Sequence, residues 1–312
     1  MSFYFKGVKK INIELNNICN LSCTLCQRSY PEMEQYLKDK THLNFEILCN
    51  TIKEFSNINE IFLYGNLSAP TLYYKFLDFI KFIKNQNITI TLSTNGNGKS
   101  KKFWEEFGKL LSEKDNIIFA IDGSTQEKYV KYRIGGNLDK VLDNYKIFAE
   151  NTKANKIIQI IKFPWLEENI EIEFANLQNK INPESNPIYN FQKRIKYNHT
   201  TEEIKTEEDE KLNVFYQKLI SFNSKRKSPI IDCFSKADKN VFINYLGDIV
   251  PCCYTQEDLL TTRELHSPKI PNIYSLDENI FNEFFIDWYG KHIYKNQSCI
   301  ETCSSQLKFF KR

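Results

Sequence analysis

The strongest constraint on the fold is a regular alternation of short β-branched runs with helical stretches over residues 11–195. This alternation predicts a parallel sheet, because consecutive parallel strands need a crossover connection that is usually a helix. The chain is therefore expected to belong to the α/β class. Six strands are predicted, at residues 11–15, 60–64, 88–93, 116–121, 156–163 and 187–191.

Four of the predicted connecting helices carry apolar residues at helical spacing. One is capped by Asn44, one follows Pro70, and two span residues 101–111 and 138–150. Their apolar stripes are expected to cover the sheet, since one face of a surface helix must be buried. Cys49 lies on the first of these stripes and is expected to be a small buried hydrophobic residue.

Three cysteines follow the first predicted strand directly. Cys19, Cys23 and Cys26 are separated by three and two residues, at the carboxyl end of a strand, where functional residues of parallel sheets gather. Three soft sulfur ligands on one loop suit an iron-sulfur cluster, and a four-iron cluster would keep one iron open. A structural zinc completed by His42 or a distant thiol is the alternative. A disulfide framework is a second and weaker alternative, because the sequence shows no signal peptide.

The stretch ELNNICNLSCTLC resembles the radical S-adenosylmethionine (SAM) superfamily, whose signature is Cys-x3-Cys-x2-Cys after a first strand. The resemblance implies a partial (β/α)6 TIM-like barrel and a 4Fe-4S cluster whose open iron binds SAM. In that family an electron from the cluster cleaves SAM to a 5'-deoxyadenosyl radical, which abstracts a hydrogen atom from the substrate. An external donor such as flavodoxin or ferredoxin is expected to supply the electron.

A second motif, YGNLSAP, follows the second strand, where the family usually has Gly-Gly-Glu-Pro or a Gly-Asn variant. The resemblance implies that Gly65, Asn66 and Ser68 contact SAM. Ala69 stands where the family's acid commonly takes the SAM amino group. Either Asn66, Ser68 or backbone carbonyls replace that acid, or the protein has lost the chemistry.

Two further segments follow the third and fourth strands. Ser93 and Asn95, in LSTNG, are similar to the family's residues near the SAM ribose and methionine. Asp122, in IDGS, precedes YRIGGNLDKV, which resembles radical SAM proteins that carry a C-terminal cluster domain. Asp122 is expected to face the pocket as a cofactor-binding or catalytic residue, with an Asx turn or helix cap as the alternative. Arg133 is expected to bind an anionic group or to pair with a surface acid.

Three parts are expected along the chain: the barrel at 1–195, a charged linker helix at 196–228, and a small cluster domain at 229–312. The linker is indicated by the runs TEEIKTEEDEKL and SFNSKRKSP.

The third part contains a second cysteine pattern. Cys233 is followed after thirteen residues by Gly247 and after four more by Cys252, across a predicted β-hairpin. Cys299 and Cys303, at positions i and i+4, can face one way from a single helical turn. The arrangement resembles the auxiliary-cluster modules SPASM and Twitch, the shorter Twitch form being the better match, and implies a second 4Fe-4S cluster. A four-thiolate zinc site remains the alternative.

Cys253 is left over beside the pattern. It is either a spare thiol or a catalytic hydrogen-atom donor to a substrate radical.

Composition bounds the partners. The 42 basic and 39 acidic residues leave a net charge of +3, so no polyanion field is implied and a nucleic-acid partner is disfavoured. No apolar run reaches the roughly 18 residues of a membrane span. Nine cysteines without an export signal indicate the reducing cytoplasm.

Three functions follow from these observations. The first is an oxidoreductase acting on a small metabolite, such as a sugar, aminocyclitol or nucleotide derivative, with the auxiliary cluster assisting oxidation. The second is modification of a peptide or protein side chain, disfavoured because the first strand begins near residue 11 and leaves no room for a peptide-recognition domain before it. The third is a non-catalytic metal-binding protein, for which Ala69 is the main support.

Overall fold

A computed structural model describes the protein at residues 5–161, 163, 165–166, 170–181, 188–192, 233–253, 255, 269–289 and 299. The predicted linker at 196–228 and the predicted ligand Cys303 lie outside these residues. No helix in the described part of the chain is both long and apolar enough to cross a bilayer.

The described strands form one open sheet. They are β1 Lys10–Ile13, β2 Glu60–Leu63, β3 Thr89–Thr94, β4 Asn116–Ala120, β5 Asn155–Ile161, β6 Ile188–Gln192, β7 Asn240–Ile243 and β8 Ile249–Val250. Their order is β6-β5-β4-β3-β2-β1-β7-β8, and every neighbouring pair is parallel except the hairpin β7-β8. The predicted α/β class and the partial, unclosed barrel are confirmed, with each predicted strand within about two residues of its place.

The helices occupy the connections as the apolar periodicity predicts. They are α1 Glu34–Leu37, α2 Phe45–Glu54, α3 Phe76–Asn85, α4 Lys101–Lys109, α5 Gln126–Tyr132, α6 Leu138–Glu150 and α7 Ile170–Ile181, followed by Phe234–Asp238 and Glu278–Asp287. The Asn44 side chain caps α2 by accepting a bond from the Ile47 amide at 3.0 Å. The helix expected after Pro70 begins later, because Pro70–Leu72 forms a separate 3-10 turn. Cys49 is buried on α2, as expected.

The two faces of the sheet differ in chemistry because strand side chains alternate between them. The convex face is apolar and packs under the helices, with Ile61, Ile90 and Phe119 fully buried. The concave face carries partly exposed side chains, including Phe62 and Ser93. The barrel thus offers its interior, rather than its helix-covered side, to a ligand.

A row of polar side chains closes the amino end of the concave face. Lys10 pairs with Glu60 at 3.5 Å, and the Thr91 hydroxyl donates to Glu60 at 3.2 Å. The Asn116 amide donates to Thr91 at 3.5 Å, and the Asn155 amide donates to Asn116 at 3.2 Å. These polar groups pair with one another across the five strands β1 to β5.

The predicted C-terminal hairpin is confirmed as β7 and β8. Its position was not predicted: β7 pairs in parallel with β1, in the register Ile11 with Val241 and Ile13 with Ile243. The Glu14 amide extends this pairing by donating to the Ile243 carbonyl at 2.8 Å. The hairpin is therefore continuous with the barrel sheet and lies beside the strand that leads to the first cysteines.

Candidate functional site

The loop that follows β1 is held by asparagine side chains. Asn16 forms a β-bridge with His42. The Asn17 side chain donates to the Asp39 carbonyl at 2.8 Å and accepts from the Thr41 amide at 2.8 Å. These contacts fix the path of the chain between the end of the strand and the first cysteine.

The three cysteines of this loop lie close enough together for their charges to interact. Cys23 is buried, whereas Cys19 and Cys26 are partly exposed, and the Cys26 amide donates to the Cys23 carbonyl at 3.1 Å. Burial raises the pKa of the Cys23 thiol to about 11, the charge of nearby Arg133 opposes this shift, and the charges of ionised Cys26 and Cys19 add to it. A bound metal centre would instead lower the pKa of these thiols, because a bound cation deprotonates its thiol ligands.

Arg133 lies immediately after α5 and links the fourth strand to the cysteine loop. Its Nε and Nη2 atoms each donate to Asp122 Oδ2 at 2.6 Å, and its Nη1 lies 3.8 Å from the Cys23 sulfur. Asp122 Oδ1 accepts from the Ile161 amide at 2.8 Å. Both oxygens of Asp122 thus accept hydrogen bonds from the protein. Neither of these contacts is an Asx turn or a helix cap. Burial alone would lower the pKa of Arg133, but adjacent Asp122 outweighs it and the pKa is raised.

Asn95 reaches the same loop from the end of β3. Its side-chain amide donates to the Asn20 side chain at 3.1 Å and lies 3.9 Å from the Cys19 sulfur. Its oxygen accepts from the Asn97 amide at 2.9 Å. Ser93 is partly exposed on the concave face of the same strand. Asn95 therefore lies beside Cys19, where it already has protein partners, and Ser93 lies two residues earlier on the concave face.

The loop after β2 needs a glycine at its first turn. Gly65 has a φ of +63°, and a Cβ atom at this position would lie 2.4 Å from the Ser68 carbonyl oxygen and 2.7 Å from Pro70 Cδ. The loop is therefore folded back on itself too tightly for any larger residue.

The rest of this loop has features that fit a polar ligand. The Ser68 hydroxyl is buried and has no hydrogen-bond partner among the described residues, a condition that proteins normally avoid. Asn66 is partly exposed beside it. The Ala69 amide donates to the Ile18 carbonyl at 2.8 Å, which brings the loop against the cysteine segment. The loop thus supplies polar groups for a ligand beside the cysteine segment, with Ala69 in the place of the expected acid.

Two residues that sequence reasoning did not select tie these loops together. Glu14, at the end of β1, is fully buried and accepts a hydrogen bond from the Leu67 amide. Arg28 donates to the carbonyls of Asn17 and Leu67. A carboxylate that directly follows an apolar strand was the available signal for Glu14. For Arg28 the sequence offered none beyond its closeness to Cys26.

The C-terminal cysteines gather around one tyrosine. Cys233, Cys252 and Cys299 are buried. Burial raises the pKa of Tyr289 well above its ordinary value, and the charges of these three thiols, when ionised, raise it further. Three thiols from distant parts of the chain therefore lie near a single hydroxyl group. Tyr289, which follows the helix Glu278–Asp287, was not predicted, because no spacing in the sequence connects it with the cysteines.

Cys253 is partly exposed, whereas the preceding Cys252 is buried. Burial is the main cause that raises the pKa of Tyr64 to about 12, with smaller contributions from Glu60 and from Cys253. Tyr64 follows β2 and stacks on Phe62 at a centroid distance of 5.4 Å. Cys253 is therefore close to an aromatic residue at the carboxyl end of the barrel.

Among the described residues, no three cysteine, histidine or acidic side chains are gathered closely enough to hold a single metal ion. His42, the alternative zinc ligand, instead packs its ring at 5.8 Å from Tyr73 and 5.3 Å from Tyr74. A zinc ion requires four ligands within about 2.3 Å, whereas a 4Fe-4S cluster binds each cysteine through a different iron. Three cysteine thiols on one loop, whose charges interact, are a donor set of the kind that a cluster takes.

Comparison with known families decides the identity of the barrel. Residues 13–172 match the model of the radical SAM superfamily. The chain belongs to the radical SAM superfamily. Membership implies a 4Fe-4S cluster and SAM, and the match covers the cysteine loop, the loops after β2 and β3 and the Asp122–Arg133 pair.

A curated relative supports the assignment over part of the chain. The tungsten-containing aldehyde ferredoxin oxidoreductase cofactor-modifying protein of Pyrococcus furiosus is 24% identical over 169 residues, which are 46% of this chain and 47% of that one. The chain therefore spans about half the length of the curated relative that it matches.

Solved radical SAM structures share the fold. SuiB of Streptococcus suis bound to the precursor peptide SuiA has a TM-score of 0.56 at 15% identity, covering 98% of this chain and 73% of SuiB. A histidine-tagged form of anSMEcpe with bound AdoMet also has a TM-score of 0.56, at 14% identity, covering 95% of this chain and 86% of that one. These similarities establish the fold of this chain and no more.

Proposed function

We propose that the protein is a SAM-cleaving oxidoreductase with two 4Fe-4S clusters. Cys19, Cys23 and Cys26 would hold the SAM-binding cluster, which together with SAM supplies an electron and a carbon radical for hydrogen abstraction. An external flavodoxin- or ferredoxin-type donor would reduce it. The C-terminal thiols would hold the auxiliary cluster.

The observation that carries the second cluster is the gathering of buried thiols around Tyr289. Iron-sulfur clusters are held by sets of cysteine thiolates gathered at one place, and three buried thiols near one hydroxyl group are such a set. Cys303 would be the fourth ligand. The pairing of β7 with β1 supports a role in catalysis, because it attaches the hairpin between Cys233 and Cys252 to the strand that precedes the SAM-binding cysteines.

The SAM site would be formed by the loops after β2 and β3. The Ser68 hydroxyl, which has no hydrogen-bond partner in the described part of the chain, and the exposed part of Asn66 supply polar groups close to the cysteine loop. They would take the SAM amino group in place of the acid that Ala69 replaces. Gly65, Ser93 and Asn95 would complete the site.

The concave face favours a small substrate. Beyond the polar row at its amino end, the described side chains that β2 to β5 place on this face are partly exposed aromatic and aliphatic groups with few polar ones, the composition typical of small-molecule sites. Phe62, Ile118 and Ile157 supply the apolar part, and Ser93 and Gln159 the polar part. Cys253, near Tyr64, would be placed to return a hydrogen atom. A peptide substrate is the second candidate, because SuiB, which shares the fold, was solved with a precursor peptide.

The iron content of the Cys252→Ala variant tests this proposal. We expect about eight irons per wild-type chain after anaerobic reconstitution, since each cluster holds about four, and about four in the variant. Reduced by dithionite, the variant should still release 5'-deoxyadenosine from SAM without substrate, because its first cluster is intact.

The matched control is Cys49→Ala, which removes another buried thiol, on α2. It should keep all of the iron. Zinc in place of the second cluster, or a Cys252→Ala variant with the iron content of the wild type, would contradict the auxiliary-cluster assignment.

A further inference from the structure

The buried guanidinium of Arg133 faces a thiol that we assign to the SAM-binding cluster. Its side chain is only 13% exposed, and its Nη1 lies 3.8 Å from the Cys23 sulfur, a distance within the range of hydrogen bonds to sulfur. The ring of Tyr132 covers the guanidinium, with the ring centroid 4.9 Å from Arg133 Cζ. A cation in such a dry position interacts strongly with a neighbouring charge, because little water screens it.

The orientation of this cation is set by Asp122. Two guanidinium nitrogens bind one carboxylate oxygen at 2.6 Å each, while the third nitrogen is directed to the sulfur. The second carboxylate oxygen is fixed by the Ile161 amide at the end of β5. Asp122 therefore anchors the far side of the guanidinium to the sheet and leaves one N–H group for Cys23.

We propose that Arg133, positioned by Asp122, raises the reduction potential of the SAM-binding cluster through Cys23. Reduction adds one electron, and hence one negative charge, to the cluster and its thiolates. An N–H donor and a positive charge at one of those thiolates stabilise the reduced form more than the oxidised form. Asp122 acts as a positioning residue for Arg133 instead of binding SAM. The inference rests on the proposed assignment of Cys23 as a cluster ligand.

The test compares the midpoint potential of the SAM-free cluster in wild type and variants, by redox titration followed by electron paramagnetic resonance. The signal of this cluster is identified as the one that changes when SAM is added. At the potential where half of the wild-type cluster is reduced, we expect the ratio of reduced to oxidised cluster to be about tenfold lower in Arg133→Gln. Arg133→Lys should lie between the two, because one ammonium group cannot bind Asp122 twice and also reach the sulfur.

The matched control is Lys128→Gln on α5. Lys128 also forms a poorly exposed ion pair, with Glu173 at 2.6 Å. Glu173 in turn accepts a hydrogen bond from the Ser124 amide at 2.9 Å. The control should leave the ratio unchanged.

Three results would count against the inference, and they are distinguishable. An unchanged ratio in Arg133→Gln, with a higher SAM concentration for half-maximal cleavage, would mean that Arg133 serves SAM binding only. If Arg133→Gln assembles no cluster, Arg133→Lys decides: a ratio below that of the wild type supports the inference, and an equal ratio overturns it. A wild-type protein without iron would instead overturn the proposed function itself.

Discussion

We expect the Cys23→Ala variant to lose the SAM-binding cluster and all release of 5'-deoxyadenosine. Cys23 is the buried one of the three cysteines in this loop, and two protein ligands do not hold a four-iron cluster that needs three. The rate of SAM cleavage should fall by more than about 100-fold. A loss of up to about 100-fold is typical when only a residue that hydrogen-bonds a metal ligand is removed. The measurement is anaerobic assay of 5'-deoxyadenosine with dithionite and SAM, together with the iron content.

Loss of activity has to be separated from loss of fold. Cys49→Ala serves again as the control, since it removes a thiol that is buried among apolar side chains of the same barrel. It should keep both iron and SAM cleavage. Continued SAM cleavage by Cys23→Ala would contradict the assignment of the cluster ligands, and with it the proposed function.

The second large effect is expected from Gly65→Ala, which should weaken SAM binding at least about tenfold, or by about 1.4 kcal/mol. The new methyl group would meet the Ser68 carbonyl oxygen at 2.4 Å, a distance at which the backbone of the loop must move. The positive φ of +63° adds strain of about 1–3 kcal/mol for a residue with a side chain. Because Ser68 is in the proposed SAM site, any such movement displaces its hydroxyl.

Gly135→Ala is the matched control, because Gly135 also has a positive φ, of +83°, but a Cβ atom there would meet nothing within 4 Å. Both variants should lower the melting temperature through backbone strain, and only Gly65→Ala should lower SAM affinity. Calorimetric titration of SAM into reconstituted protein measures the difference. Equal SAM affinities in the two variants would show that the loop after β2 does not form the site.

The sequence was sufficient to predict the elements that depend on local patterns. The strands are bounded by turn residues and alternate with amphipathic helices, so their places follow from periodicity. The loops that carry Cys19, Gly65 and Asn95 could be placed at one end of the barrel for the same reason, because each follows a parallel strand.

Contacts between distant residues could not be predicted. Arg133 and Cys23 are separated by 110 positions, and a charged residue in the sequence looks the same whether it binds a ligand, a thiol or a buried acid. Likewise, nothing in the β-branched pattern of residues 240–243 distinguishes a free hairpin from a strand that pairs with β1. Such pairings are decided by packing in three dimensions, which produces no periodic pattern in the sequence.

The pairing of β7 with β1 also bears on how the protein is made. During synthesis β1 leaves the ribosome long before the strand that covers its second edge, which begins only at Asn240. Until then β1 can pair with β2 on one side while its other row of backbone amides and carbonyls stays open to any extended segment nearby. The nascent barrel is therefore vulnerable to intermolecular strand pairing until β7 has been made, and a product that ends before β7 would keep that vulnerability permanently.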